Sequence, residues 1–343
     1  GNVIDPLEMI DEIGADALRF ALTVGTAPAS DQQLTDAKLD GARNFSNKLW
    51  NAARFVLGAR PDELAEPYGD ANLPERWIRS RLAEATARAT RQLDGLDLGG
   101  YTAGIYDFAW SDYCDWFVEM AKVDLRRPDA LPGEQARVWR TAADCLAGML
   151  RLLHPIMPFI TEQVWATLHE VEPRATNGEP LLIVAAWPAD GGRDEASEVE
   201  MSDLAELVRG VRNLRTEARL PAGAWLPLAV VPADAASRAV LERSAPYISA
   251  LARVRPIDLR DSADVGEQGS LVTAVRLGTA WLEAPAPSGG TDARGEARAR
   301  LLARIERLRG LLANAGFVER APAAVVARER ERLAELEEQL RRL

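Results

Sequence analysis

Seven residues in one stretch of the chain carry chemistry that asks for an explanation: Arg43, Asn44, Asn47, Lys48, Asn51, Arg54 and Phe55. Projected at about 100° per residue, they fall on one side of a helix expected over 35–57. Ala52, Phe45, Val56, Leu49, Ala53, Leu57 and Trp50 fall on the other side, as an ordinary core stripe. The first set is unusual in three ways. It holds no Asp or Glu between Gly41 and Arg60, in a chain whose net charge is -11. Three asparagines, weak helix formers, occupy mid-helix positions where Glu or Lys would serve solubility better. An aromatic, Phe55, stands among the polar groups. Cations pair with phosphates, an Asn amide offers a donor and an acceptor to a base edge, and Phe stacks on an unpaired base. The set therefore suits single-stranded RNA. The same side chains could instead bond neighbouring helices, with Phe55 buried among them, and residue types alone leave both readings open.

A second set of cations lies near the C-terminus. Leu301, Ile305, Leu308 and Leu312 recur at threes and fours. After a break at Asn314-Ala315-Gly316-Phe317, so do Val326, Leu333, Leu336, Leu340 and Leu343. That is the seam of an antiparallel two-stranded coiled coil. Its first arm carries Arg294, Arg298, Arg300, Arg304, Arg307 and Arg309 against Glu296 and Glu306. Its second is balanced: Arg328, Arg330 and Arg332 face Glu329, Glu331, Glu335, Glu337 and Glu338. An arginine-rich arm can track a phosphate backbone. It can equally be a solvated or dimerising coiled coil. The RNA reading places its contacts on the first arm alone, at Arg298, Arg300, Arg304 and Arg307.

Other chemistries are poorly supplied. Two cysteines, Cys114 and Cys145, stand far apart, which argues against a disulfide framework or a Cys-type zinc site and fits a reducing cytosol. His154 and His169 are the only histidines; His154, before Pro155, reads as a capping or packing residue. Tyr106, Phe108, Trp110, Tyr113, Trp116 and Phe117 form a dense aromatic set read as core. No apolar run approaches the roughly 20 residues of a membrane helix. Gly1 rather than Met opens the chain, so a fragment or processed product is expected.

The elements that must position these residues are mostly helical. A chain of 343 residues implies two or three domains. Asp5-Pro6-Leu7-Glu8 reads as a helix start closed by Gly14, with a second helix from about Ala15 to Val24. Thr35 caps the helix of the first cation set. Further helices are expected over 74–94, 98–124 and 134–169, the last broken around His154-Pro155-Ile156-Met157-Pro158. Beyond Pro173 the pattern changes. Strands are expected at Leu181–Trp187, Trp225–Val231 and Leu271–Leu282, with helices at about 202–219 and 234–247. Pro285 to Gly290 reads as a joint. The expected class is mainly α, divided into a junction segment (1–34), an antiparallel helical bundle (35–172), a small α/β domain (173–288) and a coiled-coil hairpin (289–343).

Several segments resemble class I aminoacyl-tRNA synthetases. Gly1-Asn2-Val3-Ile4-Asp5-Pro6 is similar to the segment after their KMSKS signature, and Gly14-Ala15-Asp16-Ala17-Leu18-Arg19 to the helix start downstream. Arg43-Asn44-Phe45-Ser46-Asn47-Lys48-Leu49-Trp50-Asn51-Ala52 resembles the first anticodon-domain helix of the valyl, isoleucyl and leucyl group. Trp110–Trp116 and His154–Phe159 resemble its later helices. Leu311–Val318 with Ala321–Val326 resembles the terminal coiled coil of the bacterial valyl family. The resemblance implies a tRNA-binding C-terminal region, with the bundle as anticodon-binding domain and the hairpin at the tRNA corner. It implies no catalytic residue, metal or cofactor in this stretch, which alone should be inactive; ATP and Mg2+ would belong to the full-length valine ligase. Valine tRNA is the expected partner, without DNA or membrane, for a cytoplasmic monomer. The alternatives are the same region of an isoleucyl or leucyl enzyme, or a helical scaffold dimerising through its coiled coil.

Overall fold

A computed structural model describes residues 5–26, 33–189, 191–261, 270–283, 293–314, 316 and 323–342. Gly1–Ile4, the joint at 285–290 and positions 315 and 317 of the break lie outside the described residues, as does the side chain of Arg294. The chain forms two compact units, Gly1–Glu198 and Val199–Leu343.

The first unit is helical. α1 (Pro6–Ile13) starts where Asp5 accepts the Leu7 N–H, with proline in the first turn. α2 (Ala15–Thr23) follows Gly14 directly. α3 (Asp36–Gly58) begins at Thr35, whose side chain accepts from the Lys38 N–H. α4 (Leu73–Asp94) opens with a capping box in which Asn72 and Glu75 satisfy each other's backbone N–H groups. Glu75 is fully buried (0% exposed), and its carboxylate also meets Arg137 and Thr141, which compensates a charge otherwise costly to bury. The expected helix at 98–124 is one continuous run: α5 (Leu98–Asp107), a π-helical stretch (Phe108–Phe117) and α6 (Val118–Leu125). The expected break at His154–Pro158 separates α7 (Pro132–Leu153) from α8 (Pro158–Val171). Asp16 of α2 accepts the Phe159 and Ile160 N–H groups, which would otherwise be left bare by the proline start. His154 caps and packs: its Nδ1 lies 2.8 Å from the Thr161 hydroxyl.

The stretch Leu181–Trp187 is not a strand. The Glu162 carboxylate takes the N–H groups of Leu182 (2.8 Å) and Ile183 (3.1 Å), and a single 3-10 turn (Leu182–Val184) results. A side chain 20 residues upstream has outcompeted sheet pairing for those donors.

The second unit is α/β with an added hairpin. α9 (Glu195–Glu217) precedes β1 (Leu226–Pro232), α10 (Ala235–Ala252) and β2 (Val254–Leu259). β2 went unseen in the sequence because Pro256 interrupts its alternation. It lies at the edge of a sheet ordered β2-β1-β4-β3, where a missing N–H is tolerated. The single strand expected over 271–282 is two, β3 (Ser270–Val275) and β4 (Gly278–Glu283), joined by the turn Arg276-Leu277. Gly278 makes that hairpin possible: its φ is +144°, and a Cβ there would stand 2.1 Å from the Val231 carbonyl oxygen. β1 and β2 are parallel and joined by α10; the other pairings are antiparallel. The hairpin is α11 (Ala293–Ala313) and α12 (Ala323–Arg342). Leu301, Ile305 and Leu336 of its seam bury against Ala274 of β3, so its base rests on the sheet.

Candidate nucleic-acid interface

α3 is held from below by three elements. Phe45 (1% exposed) packs on Phe20 of α2 and on Tyr106, with ring centroids at 4.8 and 5.0 Å. Leu49, Ala53 and Val56 are buried with it. At the C-terminal end the Trp139 indole donates to the Val56 carbonyl at 2.8 Å, filling one of the acceptors that a helix end leaves bare. The core stripe thus fixes which face α3 presents outward. The aromatic set read as core is largely that: Phe108, Tyr113, Trp116 and Phe117 are buried, while Tyr106 and Trp110 are half-buried and stacked at 5.6 Å beside α3.

The polar face is less uniform than its sequence. Asn44, Asn47, Asn51 and Arg54 are exposed, and no side-chain hydrogen bond or ion pair among the described residues engages them. Arg43 is exposed but pairs with Asp40 at 2.8 Å, the acid immediately before the acid-free stretch begins. Lys48, half-buried, is committed to partners within the protein. Its ammonium pairs with Asp115 and lies 3.8 Å from the centroid of Trp110. The π stretch explains this. With i→i+5 bonding, as in the Val118 N–H to the Tyr113 carbonyl, Trp110 and Asp115 align on one side and enclose the cation together. Phe55 is half-buried, with the Lys122 ammonium 5.2 Å from its ring centroid.

The aromatic that does face outward is Trp50, 41% exposed. Sequence reasoning assigned it to the core stripe. The signal was present, for the same projection sets Trp50 at the rim, about 20° from Arg43 and about 40° from Arg54. The structure therefore groups Trp50, Arg54 and three asparagines as the accessible face and withdraws Lys48 and much of Phe55 from it.

Around the hairpin the four candidate arginines separate. Arg300 pairs with Glu217 of α9 at 2.6 Å. Arg304 and Arg307 are exposed. Arg298 is exposed too, but stands about 180° around the helix from Arg307. Arg309 is tied to Glu337 of the second arm at 2.6 Å. A cleft of about 840 Å3 opens between α9, β3 and both arm helices, with Arg209, Asn213, Arg304, Arg328 and Arg332 in its lining. The second arm, set aside for its acidic balance, thus brings two arginines to the same cleft as Arg304.

Among the described residues nothing else competes as a reactive centre. Both cysteines are buried, and burial pushes each thiol up to about 12, so neither is a thiolate near neutral pH. Among the described residues, no three His, Cys, Asp or Glu side chains converge as a metal site, and no helix is long and apolar enough to cross a membrane.

Comparison with known proteins adds the following. The family described as the anticodon-binding domain of tRNA ligase matches residues 75–230, and the valyl tRNA synthetase tRNA binding arm matches 298–343. α3 precedes the first match but packs into it through Phe45–Tyr106 and Trp139–Val56. The valine–tRNA ligase of Dehalococcoides mccartyi (strain CBDB1) is 39% identical over 354 residues, covering 100% of this chain and 39% of its own. That of Agrobacterium fabrum is 39% identical, covering 99% of this chain and 36% of its own. The Bacillus cereus protein is 35% identical, with 96% and 37% covered. The chain therefore spans less than two fifths of the length of these relatives and aligns with their C-terminal portion. A solved LeuRS–tRNA–LeuAMS ternary complex from Agrobacterium radiobacter K84 is similar at a TM-score of 0.40 and 20% identity, over 68% of this chain and 23% of that one.

Proposed function

The chain belongs to the valine–tRNA ligase family, and from that premise we propose that it is the region of such a ligase that holds valine tRNA. In this reading the bundle meets the anticodon through α3, and the hairpin meets the corner of the tRNA. The full ligase joins valine to its tRNA with ATP; the ATP and Mg2+ are assigned to the remainder of the longer protein, and this chain alone has no ligase activity. Holding a rigid RNA at two distant points raises the effective concentration of its 3′ end at the catalytic centre.

One observation carries the proposal. α3 keeps Trp50, Arg54, Asn44, Asn47 and Asn51 outward on a helix locked by its own core stripe. These supply a stacking surface, a phosphate partner and three amides on one pre-set face, which single-stranded loop recognition requires. The chain is read as a cytoplasmic monomer; the monomer is supported by the seam residues Leu301, Ile305 and Leu336, which are buried against one another and Ala274 within one copy.

The test is electrophoretic binding of this chain to valine tRNA and to the same tRNA with its anticodon exchanged. Binding at least about tenfold tighter to the native anticodon is expected, the size of one good base contact. Equal affinity for the two would sink the anticodon reading, and sedimentation as a dimer would sink the monomer.

A further inference from the structure

We propose that Arg276 is the positioning residue that fixes the coiled-coil arm on the α/β unit, and so sets the direction in which the arm meets RNA. The inference rests on the tRNA-holding role proposed above and names a residue that acts on it from outside the arm.

Arg276 occupies the first position of the two-residue turn between β3 and β4. Its guanidinium meets Asp203 of α9 at 3.4 Å and Glu335 of α12. Its backbone N–H donates to Glu206 of α9 at 3.0 Å, and the other oxygen of that carboxylate accepts from the Gln339 amide at 2.7 Å. Its carbonyl accepts from Arg342 at 3.2 Å. Arg276 therefore ties a β-turn to two successive turns of α9 and to positions 335 and 342 of α12, with Gln339 on the same face joined through Glu206.

Three features make this more than a surface ion pair. An isolated exposed pair contributes little, because two long side chains must be ordered for it. Here two of the ties end on the backbone of Arg276, which cannot rotate away. That backbone is itself held, since Gly278 packs against the Val231 carbonyl and fixes the hairpin. Gln339 is buried, and burial raises the pKa of the Asp203 carboxyl while the neighbouring Arg276 charge lowers it, so both groups depend on this junction for partners. The apolar contact beside it is small on the sheet side, because Ala274 presents a single methyl to Leu301, Ile305 and Leu336. The polar junction must then supply much of the angular constraint.

Leverage makes the constraint matter. From Glu335 to Ala323, α12 runs about 18 Å away from the clamp. A tilt of roughly 10° at the base displaces the far end by roughly 3 Å, the whole length of a phosphate hydrogen bond. Arg332 and Arg328 stand about 5 and 10 Å along α12 from the clamp, so the same tilt moves them by roughly 1 and 2 Å.

The experiment uses this chain with spin labels at Ala236→Cys on α10 and Arg330→Cys on the arm; the native cysteines are buried. Electron–electron distance distributions and the affinity for valine tRNA are measured for Arg276→Ala, Arg276→Lys and Glu335→Gln. The parent chain should give one narrow distribution. Arg276→Ala keeps the two backbone ties but removes both ion pairs, and should broaden the distribution and weaken tRNA binding by about two- to fivefold. Arg276→Lys, which keeps the charge but not the fork that spans two acids, should recover part of the loss, and Glu335→Gln, which leaves the turn untouched, should reproduce the loss in part. A distribution as narrow as the parent's in Arg276→Ala and Glu335→Gln overturns the proposal, and so does a broadened one with unchanged tRNA affinity. A parent chain that binds no tRNA overturns the earlier reading instead, and is seen before any substitution at Arg276.

Discussion

α3 and the C-terminal hairpin both present arginines, yet they are seated in opposite ways. α3 seats its own stripe of buried residues against α2, α5 and α7, and its outward face is fixed before any ligand arrives. The hairpin rests on Ala274, its own seam, the Arg300–Glu217 pair and a polar clamp. A reading face benefits from the first arrangement, because stacking and amide contacts tolerate little displacement. Phosphate tracking asks less of its seat than base reading does, so a small polar clamp suffices to hold the arm's angle.

The sharpest test of that contrast is a pair of core truncations. Phe45→Ala should cost about 3–5 kcal/mol and lower the unfolding temperature of the helical unit, because Phe20 and Tyr106 lose their common partner. Ile305→Ala should leave that transition where it is and instead raise hydrogen exchange along the arm; a fall in both by the same amount would show that the two seats are not independent.

Next in size is the difference in what each region reads. Trp50→Ala should weaken binding of valine tRNA by about 1–3 kcal/mol, the usual worth of a base stack, and do so more for the native anticodon than for an exchanged one. Phe55→Ala, on a half-buried ring, should do less. If Phe55 proves the larger, the exposed face has been drawn on the wrong flank of α3.

Removing Arg304 and Arg307 together should act on every tRNA alike and reduce the slope of log affinity against log salt by about 2. These two serve better than Arg300, whose guanidinium is already on Glu217. Selective loss for valine tRNA would move sequence reading into the arm.

The smallest effect is a pH response confined to the bundle, since both histidines lie there and none in the arm. Burial holds His154 below its ordinary 6.5, outweighing the nearby Glu162 and Asp16 carboxylates. The unfolded chain therefore takes up a proton on His154 before the folded one does, and stability falls as pH drops from about 6.5 towards the lowered folded value. His154→Gln should flatten that segment of the stability curve. An NMR titration placing His154 above 6.5 would reverse the sign.

Much of this organisation was legible in the residues. Thr35, Asn72 with Glu75, and the proline starts lie within a turn of what they cap. The seams of α3, α11 and α12 are spacings of three and four along one chain segment. Such information is local, and the sequence by itself determined it: which stretches are helical, where α7 gives way to α8, which side of α3 is apolar, and that the tail is a hairpin. Tertiary structure decided who partners whom. Lys48 is a phosphate ligand by type, yet Asp115, 67 residues away, takes it. Leu181–Trp187 is a strand by composition, yet Glu162 claims its donors. Trp50 is a core residue by hydrophobicity, yet it lies on the rim of α3 and stays exposed. Arg276 gave no signal at all, because a residue becomes a junction only when α9, a β-turn and α12 arrive around it. Periodicity fixes the face a side chain points from; whether that face meets solvent, a counter-charge or a neighbouring ring depends on elements brought together from distant parts of the chain.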